Sequence, residues 1–354
     1  MHGLVLAGVR RIEHRTDLPD PTIVEATDAI VAVSRAGLCG SDLHPFEGRE
    51  AVRFGVVAGH EAVGEVVAAG AEVRRVRAGD RVLVPFTTSC GTCPECRRSL
   101  TARCRRGALF GYGPADEPEV PALGGGQAEL VRVPLADGTL VPAPQGLTDV
   151  EALLLTDNLP TGWYAAERAA ITPGDPVAVV GLGAVGLCAV VAAGHMGAGT
   201  ILAVDPVDGR RARAAGLGAA TAHPDAACAA AHDLLAGGAA AVIESAGTPA
   251  AQRLASRLAR PGATLSMIAV QTGQRFGFTP VEAYDANLTV RVGRAPVRSL
   301  LDRLLPLVTS GRLAVPSAAV VTHPAVPLAD GPATYAHFAA REPGMVKAVF
   351  APSR

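Results

Sequence analysis

The pattern of hydrophobic and polar positions changes about midway along the 354-residue chain. Up to about Leu155, apolar residues occur in short runs that glycine and proline interrupt, such as residues 29–33, 63–70 and 81–85. Several short strands at such spacing are typical of a β-barrel or a β-sandwich. The first part of the chain is therefore predicted to be a β-rich domain.

From about Thr172 onward, strand-like apolar runs alternate with helix-like stretches. One of these helices is expected to continue to Ala259, and an amphipathic helix is expected over residues 297–310. Strands that alternate with helical crossovers predict a doubly wound parallel sheet, so the fold class is α/β. The predicted strands are residues 176–180, 200–205, 220–222, 240–245, 263–270 and 287–292.

A glycine-rich turn joins the first of these strands to a helix. Glycines at this point let the backbone approach a pyrophosphate at the helix N-terminus, and an acid about 20 residues later can bind the ribose hydroxyls of NAD. The acid here is Asp205, while Arg210 and Arg211 nearby keep NADP open as the less favoured alternative. The predicted cofactor-binding residues are Gly181, Gly183, Ala184, Val185, Gly186, Asp205 and Arg210, with Ile268 and Val270 either lining the nicotinamide or packing as ordinary strand residues.

Four closely spaced cysteines form the most specific motif of the chain: Cys90, Cys93, Cys96 and Cys104. Four thiolates can enclose one zinc ion tetrahedrally, and a closed site of this kind is structural because no coordination position remains open. A disulfide-bonded lobe would need an oxidising compartment, and an iron–sulfur cluster would need redox partners. We therefore predict a structural zinc site.

A second set of potential metal ligands lies in three separate segments. A catalytic zinc needs about three protein ligands and an open position, and Cys39, His60 and Asp157 meet that requirement. Asp42 is predicted either to orient the ligand imidazole or to cap the following turn. The hydroxyl of Ser41 and the imidazole of His44 could carry a proton away from the open position.

Composition narrows the classes of function. The net charge is −1 and basic residues are scattered, which argues against nucleic acid or an anionic membrane as a partner. No apolar run reaches the roughly 18 residues of a membrane span, and the N-terminus lacks the pattern of a signal peptide. We expect a cytoplasmic protein that acts on small molecules, with its cysteines as ligands or core residues.

These motifs together resemble the zinc-dependent alcohol dehydrogenases of the medium-chain dehydrogenase/reductase superfamily. The resemblance implies a GroES-like β-barrel catalytic domain over residues 1–157 and 295–354, with a zinc lobe at about 90–104, and a Rossmann NAD-binding domain over residues 158–294. It also implies that Cys39 and His60 bind the catalytic zinc, and that either Asp157 or Glu61 is the third ligand. Lys347 is expected to be a surface charge or, less favoured, to approach the cofactor phosphates.

The implied reaction is hydride transfer between NAD and a secondary alcohol or polyol, which gives the ketone or aldehyde reversibly. Zinc would lower the pKa of the alcohol, and Ser41 and His44 would move the proton. Two alternatives stay open: a redox-neutral epimerase or lyase that keeps its NAD, and a non-catalytic NAD-sensing protein. The resemblance also implies a homodimer or homotetramer.

Overall fold

The computed structural model describes residues 1–352, which divide into two compact units. The barrel unit comprises Met1–Asp157, Pro296–Ser317 and the described residues from Val321 onward. The parallel-sheet unit comprises Asn158–Ala295 and Ala318–Val320. Ala295 and Ala318–Val320 thus belong to the parallel-sheet unit, which differs from the limits expected from the sequence.

The first part of the barrel unit consists of short strands and short helices. Its core contains branched residues such as Val31, Val66 and Leu140, which are 0%, 0% and 1% exposed. The elements are β1 (Gly3–Gly8), β2 (Arg11–Arg15), β3 (Ala29–Leu38), α1 (Leu43–Phe46), β4 (Val56–Val57), β5 (Ala62–Ala69), β6 (Arg81–Val84), α2 (Pro94–Arg97), β7 (Leu130–Val133), α3 (Ala136–Thr139), β8 (Val141–Pro142) and α4 (Asp149–Leu154).

The parallel-sheet unit alternates strands and helices. Two interior strands, β9 and β10, are buried on both faces, because every residue in them is buried, whereas the edge strand β14 is partly exposed. The elements are α5 (Asn158–Arg168), β9 (Val177–Val180), α6 (Ala184–His195), β10 (Ile201–Val204), α7 (Asp208–Gly216), β11 (Ala220–Ala222), α8 (Ala227–Leu234), β12 (Ala239–Glu244), α9 (Pro249–Leu258), β13 (Ala259–Met267), α10 (Pro280–Asp285) and β14 (Thr289–Val292).

The C-terminal part supplies further elements. Strand β16 pairs antiparallel with β3 and so extends the barrel sheet. The elements are α11 (Val297–Thr309), α12 (Ser317–Val320), β15 (His323–Val326), α13 (Gly331–Ala339) and β16 (Ala348–Phe350).

The strand order of each sheet agrees with the predicted fold class. The barrel unit has a seven-stranded sheet in which β15, β16, β3, β5, β6 and β8 are successive neighbours and β7 pairs with β3, together with a three-stranded sheet of order β2-β1-β4. The other unit has one six-stranded sheet of order β11-β10-β9-β12-β13-β14, and all of its pairings are parallel. The expected combination of a barrel and a doubly wound sheet is confirmed.

The predicted boundaries around β13 are wrong. Helix α9 ends at Leu258 instead of continuing to Ala259, and the strand covers Ala259–Met267 instead of residues 263–270. Proline at position 261 disfavours helical backbone at Arg260, so the chain becomes extended earlier than its apolar pattern suggests. Ile268 and Val270 consequently follow the strand rather than lie within it.

Strand pairing in the barrel unit brings three distant segments to one end of the sheet. Ala36 of β3 pairs with Ala62 of β5, and Leu38 of β3 pairs with Ala348 of β16. The residues just beyond these strand ends are Cys39, Glu61 and Lys347. The antiparallel register therefore gathers a thiol, a carboxylate and an ammonium group.

None of the helices in the described part of the chain, residues 1–352, is both long and apolar enough to cross a bilayer.

Candidate metal centres and cofactor site

The structure brings together the side chains proposed as catalytic metal ligands. The Sγ of Cys39 and the Nε2 of His60 each lie 3.7 Å from the same carboxylate oxygen, Oδ2 of Asp157. One potential ligand atom from each of Cys39, His60, Glu61 and Asp157 lies within 4.8 Å of the other three. Tetrahedral zinc bonds of about 2.0–2.3 Å place neighbouring ligand atoms about 3.3–3.8 Å apart. The donor spacing therefore fits zinc.

Asp42 makes two contacts that orient this cluster. Its Oδ1 lies 2.9 Å from Nδ1 of His60, and its Oδ2 accepts a hydrogen bond of 2.8 Å from the backbone N–H of Cys39. The first contact directs Nε2 of His60 toward the cluster. Asp42 thus contacts both predicted ligand residues, and its capping contact is at the start of its own turn rather than at the following one.

Ser41 lies at the edge of the same cluster. Its Oγ is 3.2 Å from Nε2 of His60, the ring nitrogen that faces Asp157. Ser41 thus contacts one of the predicted ligand residues, and its proton-accepting role stays a prediction.

The protonation behaviour of the cluster also suits a divalent cation. Burial raises the pKa of the Cys39 thiol, and the nearby Asp157 carboxylate raises it further. Burial lowers the pKa of His60, but Asp42 and Asp157 outweigh this effect and raise the pKa well above its ordinary value. The two groups therefore retain protons that a metal ion would displace on binding.

Glu61 is bound to Lys347 inside the protein. The Nζ of Lys347 donates a hydrogen bond of 2.6 Å to Oε2 of Glu61, and both side chains are 0% exposed. The expectation that Lys347 is a surface charge is wrong, because β16 carries it into the end of the barrel sheet. Burial raises the pKa of Glu61, although the ammonium of Lys347 counteracts this.

His44 lies on α1 in a partly buried position, and its Nδ1 has no hydrogen-bond partner among the described residues. Burial lowers its pKa to about 4, and the positive charge of Arg49 adds to this effect. The imidazole is therefore neutral at neutral pH, and its low pKa makes it a weak proton acceptor. No direct hydrogen bond between Ser41 and His44 is seen within residues 1–352.

The lowered pKa of His44 predicts a pH dependence of stability. The unfolded chain binds this proton at higher pH than the folded chain, so the free energy of unfolding decreases as the pH falls from about 6.5 to about 4. Because the ring is partly exposed and its charge is screened, we expect His44→Gln to remove about 1–2 kcal/mol of this decrease. Urea unfolding of both proteins at about pH 7 and about pH 4.5 measures the difference. Identical pH dependence in the two would contradict the prediction.

The four predicted cysteine ligands of the structural site also lie together. One sulfur from each of Cys90, Cys93, Cys96 and Cys104 lies within 4.8 Å of the others. Backbone N–H groups point at two of these sulfurs: that of Cys93 donates to Sγ of Cys90 and that of Cys90 donates to Sγ of Cys104. Such contacts favour thiolates: the pKa of Cys90 is lowered to about 6 in spite of its partial burial, whereas burial outweighs the N–H contact at Cys104 and raises the pKa of that thiol. The donor set fits a closed zinc site.

The glycine-rich turn has the geometry of a dinucleotide-binding loop. Gly181 has φ +92° between β9 and the start of α6, and any Cβ on Gly186 would collide with the carbonyl oxygen of Gly181. Gly183 is the N-cap of α6, and Ala184 and Val185 form its first turn. The free N–H groups of this helix end can therefore face an anion.

Asp205 is fixed at the end of β10. Its Oδ2 accepts a hydrogen bond of 2.8 Å from the N–H of Leu182, and its Oδ1 accepts one of 2.8 Å from Val207. Arg210 lies on α7, with its Nη1 at 3.8 Å from Oδ2 of Asp205. Each carboxylate oxygen keeps a second lone pair that could accept a ribose hydroxyl.

The residues expected at the nicotinamide differ in exposure. Ile268 is 7% exposed and Val270 is 39% exposed, and both follow β13 at its carboxyl end. This edge of a parallel sheet is where ligands usually bind.

Sequence reasoning missed two buried polar residues near these sites. Glu244 ends β12 and its Oε1 accepts hydrogen bonds from the N–H groups of Ala246 and Gly247, beside the glycine-rich turn. Gln127 lies beside the segments that carry Cys39 and His60, and its side chain is buried. The only signal for Glu244 is an acid at the end of an apolar strand, and Gln127 has no comparable signal.

A barrel that carries a Cys–His–Asp cluster and a four-cysteine lobe, together with a parallel sheet that carries a dinucleotide loop, defines the class of zinc-binding dehydrogenases. Family comparisons agree. Residues 25–145 match the alcohol dehydrogenase GroES-like domain, and residues 184–303 match the zinc-binding dehydrogenase domain.

Individual proteins that resemble this chain are also described as alcohol dehydrogenases. A probable zinc-binding alcohol dehydrogenase of Mycobacterium tuberculosis is 43% identical over 94% of this chain and 85% of its own length. The zinc-type alcohol dehydrogenase B of Aspergillus flavus is 39% identical over 81% of this chain and 68% of its own. The structure of alcohol dehydrogenase TADH from Thermus sp. ATN1 superposes over the full length of both chains, with a TM-score of 0.90 and 35% identity. The chain belongs to the zinc-dependent alcohol dehydrogenase family of the medium-chain dehydrogenase/reductase superfamily, whose chemistry is alcohol and carbonyl oxidoreduction.

Proposed function

We propose that this protein is a zinc-dependent, NAD-linked dehydrogenase that interconverts a secondary alcohol or polyol with its ketone or aldehyde. The observation that carries the proposal is the arrangement of Cys39, His60 and Asp157 at the ligand spacing of tetrahedral zinc. Ser41 lies beside the position that would remain open. A structural zinc in the four-cysteine lobe completes the proposed metal content.

Asp157 rather than Glu61 is the proposed third ligand. Its Oδ2 is equidistant from the donor atoms of Cys39 and His60. The Oε2 of Glu61 is engaged by the buried ammonium of Lys347, and a carboxylate paired in this way is a poorer ligand than one directed at the other donors. Glu61 then lies close to the proposed zinc site, with its negative charge balanced by the ammonium group of Lys347.

Zinc bound by these residues would supply a Lewis acid that lowers the pKa of the alcohol, and NAD would accept the hydride. Asp42 holds the His60 ring so that Nε2 faces the cluster. Ser41, whose hydroxyl contacts Nε2 of His60, would accept the alcohol proton on its oxygen as it releases its own hydroxyl proton. His44 would receive that proton through an intervening hydrogen-bonding group, because the two side chains make no direct hydrogen bond in the described residues, and would release it to solvent.

NAD is the proposed cofactor because Asp205 is held as a buried carboxylate by two backbone N–H groups. A 2′-phosphate at this position would meet its negative charge.

We expect Asp205→Ser to lower kcat/KM for NAD by about tenfold to a hundredfold, as charged hydrogen bonds are lost, and to raise the use of NADP relative to NAD. Steady-state rates with both cofactors measure this selectivity, and Asp208→Ser, at the exposed first residue of α7, is the matched control. Unchanged selectivity in Asp205→Ser would refute the cofactor assignment.

NADH formation on a panel of secondary alcohols and polyols tests the proposed reaction. A dehydrogenase produces NADH in proportion to the alcohol consumed. An epimerase or lyase would convert substrate without net NADH, and a sensor would bind NAD without converting substrate. Either of these two results would overturn the proposal.

We also propose that the protein assembles as a homodimer or homotetramer. Strand β14 lies at the edge of the six-stranded sheet and includes Val292, which is 40% exposed; α10, which precedes β14 in the chain, exposes Val281 (66%) and Tyr284 (82%). Open strand edges with apolar surroundings favour pairing with another chain. Sedimentation velocity should give the mass of two or four chains, and a monomer at micromolar concentration would exclude this assembly.

A further inference from the structure

The side-chain amide of Gln127 connects segments that are distant in the sequence. Its Nε2 donates a hydrogen bond of 2.8 Å to the carbonyl oxygen of Gly37, two residues before Cys39. Its Oε1 accepts a hydrogen bond of 2.8 Å from the hydroxyl of Tyr335 on α13. Gln127 is 0% exposed and Tyr335 is 1% exposed, so both bonds are shielded from water.

Gln127 also contacts the segment that carries His60. Its backbone N–H donates a hydrogen bond of 3.0 Å to the carbonyl oxygen of Ala58, two residues before His60. Gly59 has φ +86°, and a Cβ at this residue would overlap the side chain of Gln127. The Gln127 side chain is therefore packed directly against the residue that precedes His60.

The backbone around Gln127 is fixed in the same way. The N–H of Gly125 donates to the carbonyl oxygen of Val57, and that of Gly126 donates to Gly59, at 2.8 and 2.9 Å. This segment lies against residues 57–59 over its whole length. Gln127 thus has little freedom to move relative to the His60 segment, and its amide extends from there to Gly37.

Tyr335 in turn is held by aromatic packing. Its ring lies 5.3 Å from that of Phe46 at the end of α1 and 6.5 Å from that of Phe350 in β16. These contacts hold its hydroxyl against Oε1 of Gln127. The Gly37 carbonyl can only accept a hydrogen bond, so Nε2 of Gln127 must face it, and the Tyr335 hydroxyl then donates to Oε1 and anchors the amide.

The backbone N–H of Gly37 donates a hydrogen bond of 3.1 Å to the carbonyl oxygen of Glu61, so the pairing of β3 with β5 already joins the two ligand segments at one point. We propose that Gln127, held in place by Tyr335, is a positioning residue that fixes the separation of Cys39 and His60 beyond that point. The inference rests on the proposed function, because it assumes that these two segments hold one zinc ion. A change in this separation alters donor spacing without removing a ligand. Loss of the Tyr335 hydroxyl should therefore weaken metal binding at this site and leave the four-cysteine site unaffected.

The test compares Tyr335→Phe with Thr334→Val in the full-length protein. Thr334 is the neighbouring residue on α13, and its buried hydroxyl donates 2.8 Å to the carbonyl of Asp330 with no link to the ligand segments. Zinc affinity is measured by competition with a chromophoric chelator, and Cys39→Ser identifies the signal of the four-cysteine site. Cobalt(II) absorption reports the ligand geometry directly.

We expect Tyr335→Phe to weaken zinc binding at the Cys39 site about tenfold and to alter the cobalt spectrum, as changes around ligands commonly do. Thr334→Val should match the wild type in zinc affinity and in cobalt spectrum, even if Thr334→Val and Tyr335→Phe lose equal thermal stability. Gln127→Met should cause a larger loss of zinc affinity at the Cys39 site. If Gln127→Met does not fold, the comparison of Tyr335→Phe with Thr334→Val is the test. Equal zinc affinity and equal cobalt spectra in Tyr335→Phe and Thr334→Val would overturn the proposal. A wild type that binds zinc here without producing NADH would refute the proposed function alone.

Discussion

Replacing Cys39 with serine is expected to lower kcat/KM for alcohol oxidation by about a thousandfold or more, because zinc loses its thiolate ligand. A serine hydroxyl is a poor zinc ligand at neutral pH, and the substitution leaves only His60 and Asp157 of the proposed ligands. Binding of NAD should remain, because the glycine-rich turn and Asp205 belong to the parallel-sheet unit. Steady-state kinetics, metal analysis and NAD titration measure the three consequences.

Cys228→Ser is the matched control for this variant. Cys228 is a half-buried thiol on α8 of the parallel-sheet unit and is absent from both candidate metal clusters. It should retain the wild-type zinc content and the wild-type rate. A Cys39→Ser protein with both zinc ions and full turnover would show that the thiol is not a ligand.

Replacing Lys347 with methionine is expected to destabilise the protein by about 3–5 kcal/mol, the usual result of removing one partner of a buried ion pair. Methionine has a similar length, so the change mainly removes the ammonium that balances the Glu61 carboxylate. Without it, burial should raise the pKa of Glu61 above its already raised value. Urea unfolding at neutral pH measures the loss of stability.

The stability lost in Lys347→Met should depend on pH, because the pKa of Glu61 is raised in the folded protein. A carboxyl group whose pKa is raised on folding stabilises the folded state below its unfolded pKa, and that contribution is lost as the pH rises toward the folded value. The deficit of Lys347→Met should therefore be smaller in mildly acidic solution than at neutral pH. The double variant Glu61→Gln with Lys347→Met should recover much of the stability, since no buried charge then remains at the pair. A deficit that is independent of pH and persists in the double variant would contradict this account.

The fold could be predicted because its signals are local. The apolar run over 176–180, the glycine-rich turn after it and Asp205 after the next run lie within about 30 residues, the length of one βαβ unit. The four-cysteine lobe is similarly local, and its spacing alone indicates tetrahedral thiolate coordination. Both features depend on side chains or turns that are close in the chain.

The rest of the candidate site depends on strand register, which the sequence does not encode locally. Lys347 lies 286 residues from Glu61, and only the pairing of β3 with β5 and β16 brings them together. A single lysine before a short apolar run gives no indication of burial, which is why the sequence pattern predicts a surface charge where the structure has a buried ion pair. The same holds for Gln127, whose partner Tyr335 is 208 residues away. The three glycines before Gln127 give no indication of this contact either, although Gly125 and Gly126 are hydrogen-bonded to residues 57–59.

Removal and restoration of zinc test the central claim most directly. The zinc-free protein is assayed for NADH formation from an alcohol substrate, and zinc is then added back in measured amounts. We expect turnover to disappear on removal while NAD still binds, and to return in proportion to the zinc recovered at the site of Cys39, His60 and Asp157. Undiminished turnover in the zinc-free protein would contradict the role assigned to these three residues.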